Sequence, residues 1–187
     1  MSDSIRTFVA VEPPAGLRAA LAGVPAAASL PQGAPLRWTP PENLHLTLRF
    51  LGDTPEEQLA PLADALGAIA AGAASFELEL GGAGAYPDAR AARVLWVGLV
   101  DADRKLRRLR NEVEAAVRGL GWKREGRRFQ PHLTLARLRR PTRLPAGGWI
   151  ETVPRCRFAV EEVSLIRSTL KPAGAEYDVL HRAPLAG

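Results

Sequence analysis

Apolar positions along the chain alternate with period two in several segments and recur every three to four residues in two others. That pattern reads as strands covered by two amphipathic helices. Residues 5–11 form a first strand. Pro13 and Pro14 then open an alanine-rich helix running towards Leu30, which Pro25 ends or kinks. Residues 36–39 are a short extended piece, and residues 44–51 alternate as a second strand. Thr54-Pro55-Glu56-Glu57 has the chemistry of a helix start, with a capping hydroxyl, a proline at the first helical position and acids against the dipole. Leu59, Leu62, Leu66 and Ile69 give that helix its apolar face. Residues 76–80 and 94–100 read as paired strands around the glycine-rich connection 81–84. Asp101 or Asp103 caps a second helix, whose stripe is Leu106, Leu109, Val113, Val117 and Leu120 and whose stop is Gly121. Residues 129–138 alternate again. A loop over 139–148 follows, and 158–168 with 176–181 close as a hairpin around 171–175.

Each half of this order carries strands and one well-formed helix. The expected architecture is α+β, with helices covering antiparallel sheets. The 187 residues suffice for one such domain. At 47% hydrophobic and 24% charged, the composition is that of a folded globular chain. No apolar run is long enough to cross a bilayer, and the first fourteen residues lack a signal-peptide layout, so a cytoplasmic protein without a membrane partner is expected; a monomer is a separate expectation. The single cysteine, Cys156, excludes an internal disulfide and a cysteine-based zinc cage. Lys and Arg outnumber Asp and Glu by 25 to 20, a modest bias towards a phosphate-bearing partner. The Arg-rich face of the second helix, around Arg104, Arg107 and Arg108, reads first as a solvated face.

Candidate chemistry comes from a repeated tetrapeptide. His45-Leu46-Thr47-Leu48 recurs as His132-Leu133-Thr134-Leu135. In a strand the His and Thr of each copy share one face while the leucines take the other. The chain has three histidines, and packing alone gives no reason for two of them to fall in the same unit. Two imidazoles across a cleft suit paired proton transfer, because an unperturbed His titrates near 6.5 and one ring can be neutral while the other is charged. Threonine hydroxyls and an arginine can hold the oxygens of a phosphate between them.

These motifs resemble those of the 2H phosphoesterase superfamily, and more narrowly the bacterial and archaeal RNA 2′,3′-cyclic phosphodiesterases formerly called 2′-5′ RNA ligases. The likeness extends from Arg6-Thr7-Phe8-Val9-Ala10 through Trp38, Pro41-Glu42-Asn43-Leu44 and Phe50-Leu51-Gly52 around the first motif. It continues through Pro131 to Arg137 around the second, and on to Ser168 and Tyr177. The resemblance implies a bilobal fold, two pseudo-symmetric lobes of antiparallel sheet with helices outside, flanking a central cleft that holds both motifs. It implies hydrolysis of an RNA 2′,3′-cyclic phosphate end to a 2′-phosphate without metal or ATP, and it allows 2′-5′ ligation. It implies that His45 is the acid and His132 the base, and that Thr47, Thr134 and Arg137 bind the phosphate. Another cyclic nucleotide, a 2′-5′-linked oligonucleotide, or simple binding of an RNA end are the alternative readings. A zinc site from His45, His132 and His181 is a further rival, although their spacing lacks the short repeats usual for such ligands.

Alternation raises a difficulty for Arg137. It stands five residues after His132, so a regular strand puts it on the opposite face, and it reaches the cleft only through a twist, a bulge or a strand end. Arg49 stands four residues after His45 and shares its nominal face. Periodicity therefore favours Arg49 and the resemblance favours Arg137, with Arg49 retained as a secondary contact. Phe8, Trp38, Phe50 and Phe129 flank the motifs and read first as core, with Phe50 kept as a candidate substrate contact.

Overall fold

The structure, a computed structural model, describes residues 3–151, 153–172 and 174–187. Two antiparallel sheets make up its frame. The first takes β1 (Ser4–Val11), β3 (Leu46–Pro55), β8 (Glu162–Lys171) and β9 (Gly174–Pro184), in the order β3-β1-β8-β9. The second takes β2 (Leu36–Trp38), β4 (Phe76–Tyr86), β5 (Ala92–Val100), β6 (His132–Thr142) and β7 (Arg157–Val160), in the order β2-β6-β5-β4-β7. Helix α3 (Leu59–Ala71) lies on β8 and β9, and α4 (Lys105–Gly119) lies against α3 and β3. The α+β architecture with antiparallel sheets is thus the one the pattern of residues predicts. Among the described residues no helix is long and apolar enough to cross a membrane.

The helices form for the predicted reasons. Leu62, Leu66 and Ala70 are the buried stripe of α3, and Leu106, Leu109, Val113 and Val117 that of α4. Asp101 accepts hydrogen bonds from the backbone N–H of Leu106 and Arg107, satisfying donors that the first turn of α4 leaves open. In β1 every residue from Thr7 to Val11 is buried, because β3 and β8 flank it and both of its faces are covered.

Four local differences from the sequence reading have physical causes. The predicted helix over the first alanine-rich segment is two pieces, α1 (Ala15–Leu21) and α2 (Val24–Ala27). The break falls at Ala22 and Gly23, and Pro25 sits in the first turn of α2, where its missing N–H costs nothing. Thr54 is no helix cap. It belongs to β3, is fully buried, and its hydroxyl lies 2.7 Å from that of Thr7 on the neighbouring strand. Residues 81–84 are no turn either, since β4 runs through them to Tyr86. A Cβ on Gly84 would fall 2.3 Å from the Trp96 ring, so glycine is there to let that indole lie flat on β4. Finally, the predicted strand 158–168 is two strands in different sheets. β7 pairs with β4 and β8 with β1, and the chain changes sheets at Glu161.

Two irregularities of register position the site. Val9 faces Arg49 and Ala10 faces Thr47, so Leu48 is an extra residue in β3. Leu95 faces Ala136 and Trp96 faces Thr134, so Leu135 is an extra residue in β6. Each bulge reverses the alternation downstream of it. Leucines are accordingly buried at 46, 48 and 51 in one copy and at 133, 135 and 138 in the other, with a spacing of two and then three.

Candidate active site

The first motif sits at the start of β3, at the edge of the first sheet. The His45 ring packs 4.7 Å from Phe8 and 5.0 Å from Tyr177, centroid to centroid. Phe8, Ala10, Ile166 and Tyr177 form a small apolar floor beneath it, apart from the main core. His45 Nδ1 is 2.8 Å from the carbonyl oxygen of Asn43. A carbonyl can only accept, so Nδ1 carries the proton and the neutral ring keeps Nε2 as its free acceptor.

The second motif opens β6 and repeats this arrangement. His132 Nδ1 is 2.7 Å from the carbonyl oxygen of Gln130, again two residues upstream, which fixes the same tautomer. Tyr86 and Trp96 lie beside the ring, at 5.2 and 6.1 Å. The Tyr86 hydroxyl donates to Gln130 Oε1 at 2.8 Å, so the residue whose carbonyl holds His132 is itself held. Thr47 and Thr134 are half-buried on the faces of their histidines, and among the described residues neither hydroxyl has a protein partner.

The two imidazoles share one electrostatic environment. Burial, foremost, pushes His45 below its ordinary 6.5, with Arg137 and His132 pushing the same way; the Asn43 carbonyl and Glu12 oppose them. Burial also lowers His132, the Gln130 carbonyl opposes it, and Arg137 adds to the lowering. His132 is therefore felt at His45, and Arg137 is felt at both rings.

Arg137 reaches this face because of the bulge at Leu135. Beyond it Arg137 faces Val94 of β5, on the same side as the Thr134–Trp96 pair. The equivalent bulge at Leu48 has the opposite consequence for Arg49, and the expectation from alternation is corrected there. Arg49 is turned into the protein, only 8% exposed, with Nε 3.0 Å from Glu114 and Nη1 3.4 Å from Glu125. It also donates to the carbonyls of Lys123 and Phe50. With its donors committed to α4 and the segment after it, Arg49 is not available to a ligand in the cleft. Phe50, the next residue, takes the cleft side opposite Phe8 and is 39% exposed, with the Arg6 guanidinium 4.4 Å from its ring centre. His181 lies on β9 opposite Leu165, and among the described residues no three His, Cys, Asp or Glu side chains converge as a metal-holding group.

The sequence reading missed Asn43, Gln130, Tyr86, Trp96 and Glu12. Asn43 and Gln130 act on the histidines through backbone carbonyls, so side-chain identity gave no clue. The leucine spacing of two then three, present in both copies, is the signal that could have revealed the bulges.

Residues 12–172 match the family described as the 2′-5′ RNA ligase superfamily. The chain belongs to that superfamily. Within it, the chain is 40% identical over 158 residues to a protein of Aeropyrum pernix named RNA 2′,3′-cyclic phosphodiesterase, covering 82% of this chain and 89% of that one. A protein of the same name from Thermus thermophilus is 39% identical over 193 aligned positions, covering 98% and 91%. Among solved structures, TT0787 of Thermus thermophilus superposes with a TM-score of 0.81 at 33% identity, over 98% of this chain and 99% of that one. LigT of E. coli, solved in complex with 3′-AMP, superposes with a TM-score of 0.79 at 30% identity, over 98% and 99%. The superfamily's likeness thus spans both sheets and both histidines of this chain.

Proposed function

We propose that this protein is an RNA 2′,3′-cyclic phosphodiesterase, opening the cyclic phosphate to a 2′-phosphate by acid–base catalysis with His45 and His132 and without a metal. The observation that carries this reading is the matched anchoring of the two imidazoles, each with Nδ1 on a backbone carbonyl two residues upstream and Nε2 left for substrate.

In the reaction a water oxygen attacks phosphorus and His132 Nε2 takes the water's proton. The bond from phosphorus to the 3′ oxygen breaks, and protonated His45 gives its proton to that oxygen. The product is a 2′-phosphate monoester beside a 3′-hydroxyl. Each proton transfer contributes on the order of 10²–10⁴-fold. Burial, the largest influence, opposes the charged form at both rings; the carboxylate of Glu12 favours it at His45 and has no counterpart at His132, and the choice of His45 as the acid follows the family resemblance. A bound phosphate raises both rings and so helps protonate the acid in the complex. Arg137 and the Thr47 and Thr134 hydroxyls hold the non-bridging oxygens as charge gathers on them. If the 5′-hydroxyl of a second RNA replaces water, the same two transfers form a 2′-5′ linkage.

The test is incubation of the purified protein, in excess chelator, with an RNA ending in a 2′,3′-cyclic phosphate. A 2′-phosphate product is expected. A 3′-phosphate product would overturn the leaving-group assignment, and turnover that requires added zinc would overturn the metal-free scheme.

A further inference from the structure

A groove of about 150 Å³ opens at the rim of the cleft, between β2, β6 and the start of β9. Its walls include Arg37, Thr39, Asn43, Arg137, Ala175 and Tyr177. Arg37 and Arg137 are direct cross-strand partners in the β2–β6 pair, so both side chains leave the same face of the sheet, one strand apart. Like charges placed directly opposite each other destabilise a sheet. Among the described residues neither arginine pairs with a carboxylate. Among the described residues other exposed arginines, such as Arg139 and Arg140, also lack a carboxylate partner; Arg37 and Arg137 differ in lining one groove together.

The rest of the groove is built around this pair. The start of β9 approaches so closely that a Cβ on Gly174 would lie 2.6 Å from Arg37 Cζ, and Gly174 has a φ of +130°, which glycine alone adopts freely. A side chain there would displace the guanidinium. Asn43 ties β9 to the segment before His45 by donating from Nδ2 to the Ala175 carbonyl at 3.2 Å. The groove also adjoins the histidine site, because Asn43 anchors the His45 ring and Tyr177 packs on it.

We propose that this groove holds a second phosphate, the phosphodiester one nucleotide upstream of the reacting cyclic phosphate, with Arg37 as its principal contact. The inference rests on the phosphodiesterase reading above and adds to it a means of telling an RNA chain from a mononucleotide. Arg137 serves the reacting phosphate, and Arg37, one strand further out on the edge of the sheet, meets the chain as it leaves. The guanidinium fork suits the paired non-bridging oxygens of a phosphodiester. A terminal 5′-phosphate offers the same chemistry and is separated from it below.

The experiment compares four substrates: a nucleoside 2′,3′-cyclic phosphate, its 5′-phosphorylated form, a dinucleotide with a cyclic end, and that dinucleotide with an uncharged methylphosphonate linkage. For the wild-type protein, kcat/KM should be about tenfold higher on the dinucleotide than on the unphosphorylated mononucleotide, and the methylphosphonate should lose that preference. Arg37→Gln should reduce the preference to near one. Equal losses on mononucleotide and dinucleotide would show that Arg37 serves the fold only, and would overturn the proposal. So would a wild-type protein indifferent to the methylphosphonate, a result independent of any variant's folding. Equal benefit from a 5′-phosphate would identify a terminal phosphate as the ligand and overturn the chain-specific assignment. Should no substrate turn over, the phosphodiesterase reading fails instead. Fluorescence anisotropy with the labelled dinucleotide 2′-phosphate, with and without the methylphosphonate, then still decides whether the groove reads the linkage.

Discussion

Phe50 and Arg137 occupy equivalent places, each five residues beyond a motif histidine and each brought to the cleft face by a bulge two residues upstream. Their neighbours Arg49 and Ala136 are equivalent too, and both are buried. The same backbone device thus offers an aromatic ring on one wall and a cation on the other. A nucleotide has a flat apolar base and an anionic phosphate, and the two walls match those two demands.

The first consequence concerns the ring. Phe50→Ala should raise KM for an RNA end by about tenfold with a smaller change in kcat, since stacking of one base contributes about 1–3 kcal/mol. Steady-state kinetics on a short cyclic-ended RNA check this. A fall in kcat at constant KM would place Phe50 in the chemistry instead.

The catalytic pair should be more sensitive. His45→Ala and His132→Ala are each expected to lower kcat by roughly 10²–10⁴-fold. Circular dichroism and the melting transition should stay near wild type. Undiminished turnover in either variant would remove that histidine from the mechanism.

The acid–base assignment also fixes a pH dependence. Burial, reinforced by Arg137, depresses both imidazoles in the free protein, so kcat/KM should be bell-shaped with its maximum on the acid side of 6.5. Arg137→Gln removes a positive charge that opposes protonation. Both limbs should then move to higher pH, while kcat falls by about 10² for want of a phosphate ligand. The same profile in both proteins would show that Arg137 does not act on the rings.

Arg49 should behave differently. Its partners Glu114 and Glu125 are carboxylates on or just after α4, and Glu114 is itself buried. Arg49→Ala leaves Glu114 with Arg110 at 3.6 Å and the Glu125 N–H as partners, so a cost of about 1–3 kcal/mol is expected in urea unfolding. Activity per folded molecule should fall less than in Arg137→Gln. The reverse ranking would mean that the bulge at Leu48 does not direct Arg49 away from the cleft.

A last prediction tests packing under the site. Gly84→Ala forces a methyl group against the Trp96 indole, and Trp96 stands beside His132. A loss of about 1–3 kcal/mol is expected, with a shifted tryptophan emission. Wild-type stability and emission would show that the indole moves aside freely.

The sequence carried much of the frame because local chemistry decides it. The leucines of the two motifs mark buried strand faces, and the stripes at Leu62 and Leu106 mark helices whatever they pack against. Where a distant partner decides, local reading failed. Arg49 and Arg137 exchange faces because β1 and β5 each leave one residue of the opposing strand unpaired, and alternation within β3 or β6 alone cannot show that. Gly84 resembles a turn residue until Trp96 is laid on it. Thr54 resembles a cap until Thr7 is seen across from it. The switch of sheets at Glu161 leaves no trace in a run of strand-forming residues.

That switch has a wider consequence. The polypeptide passes between the sheets four times, from β1 to β2, β2 to β3, β3 to β4 and β7 to β8. Neither wall of the catalytic groove is a contiguous stretch of chain, so no single cut releases one wall intact. The walls are stitched together by four connections, so any change in their spacing must bend all four. The gap between the two rings is a property of the whole weave.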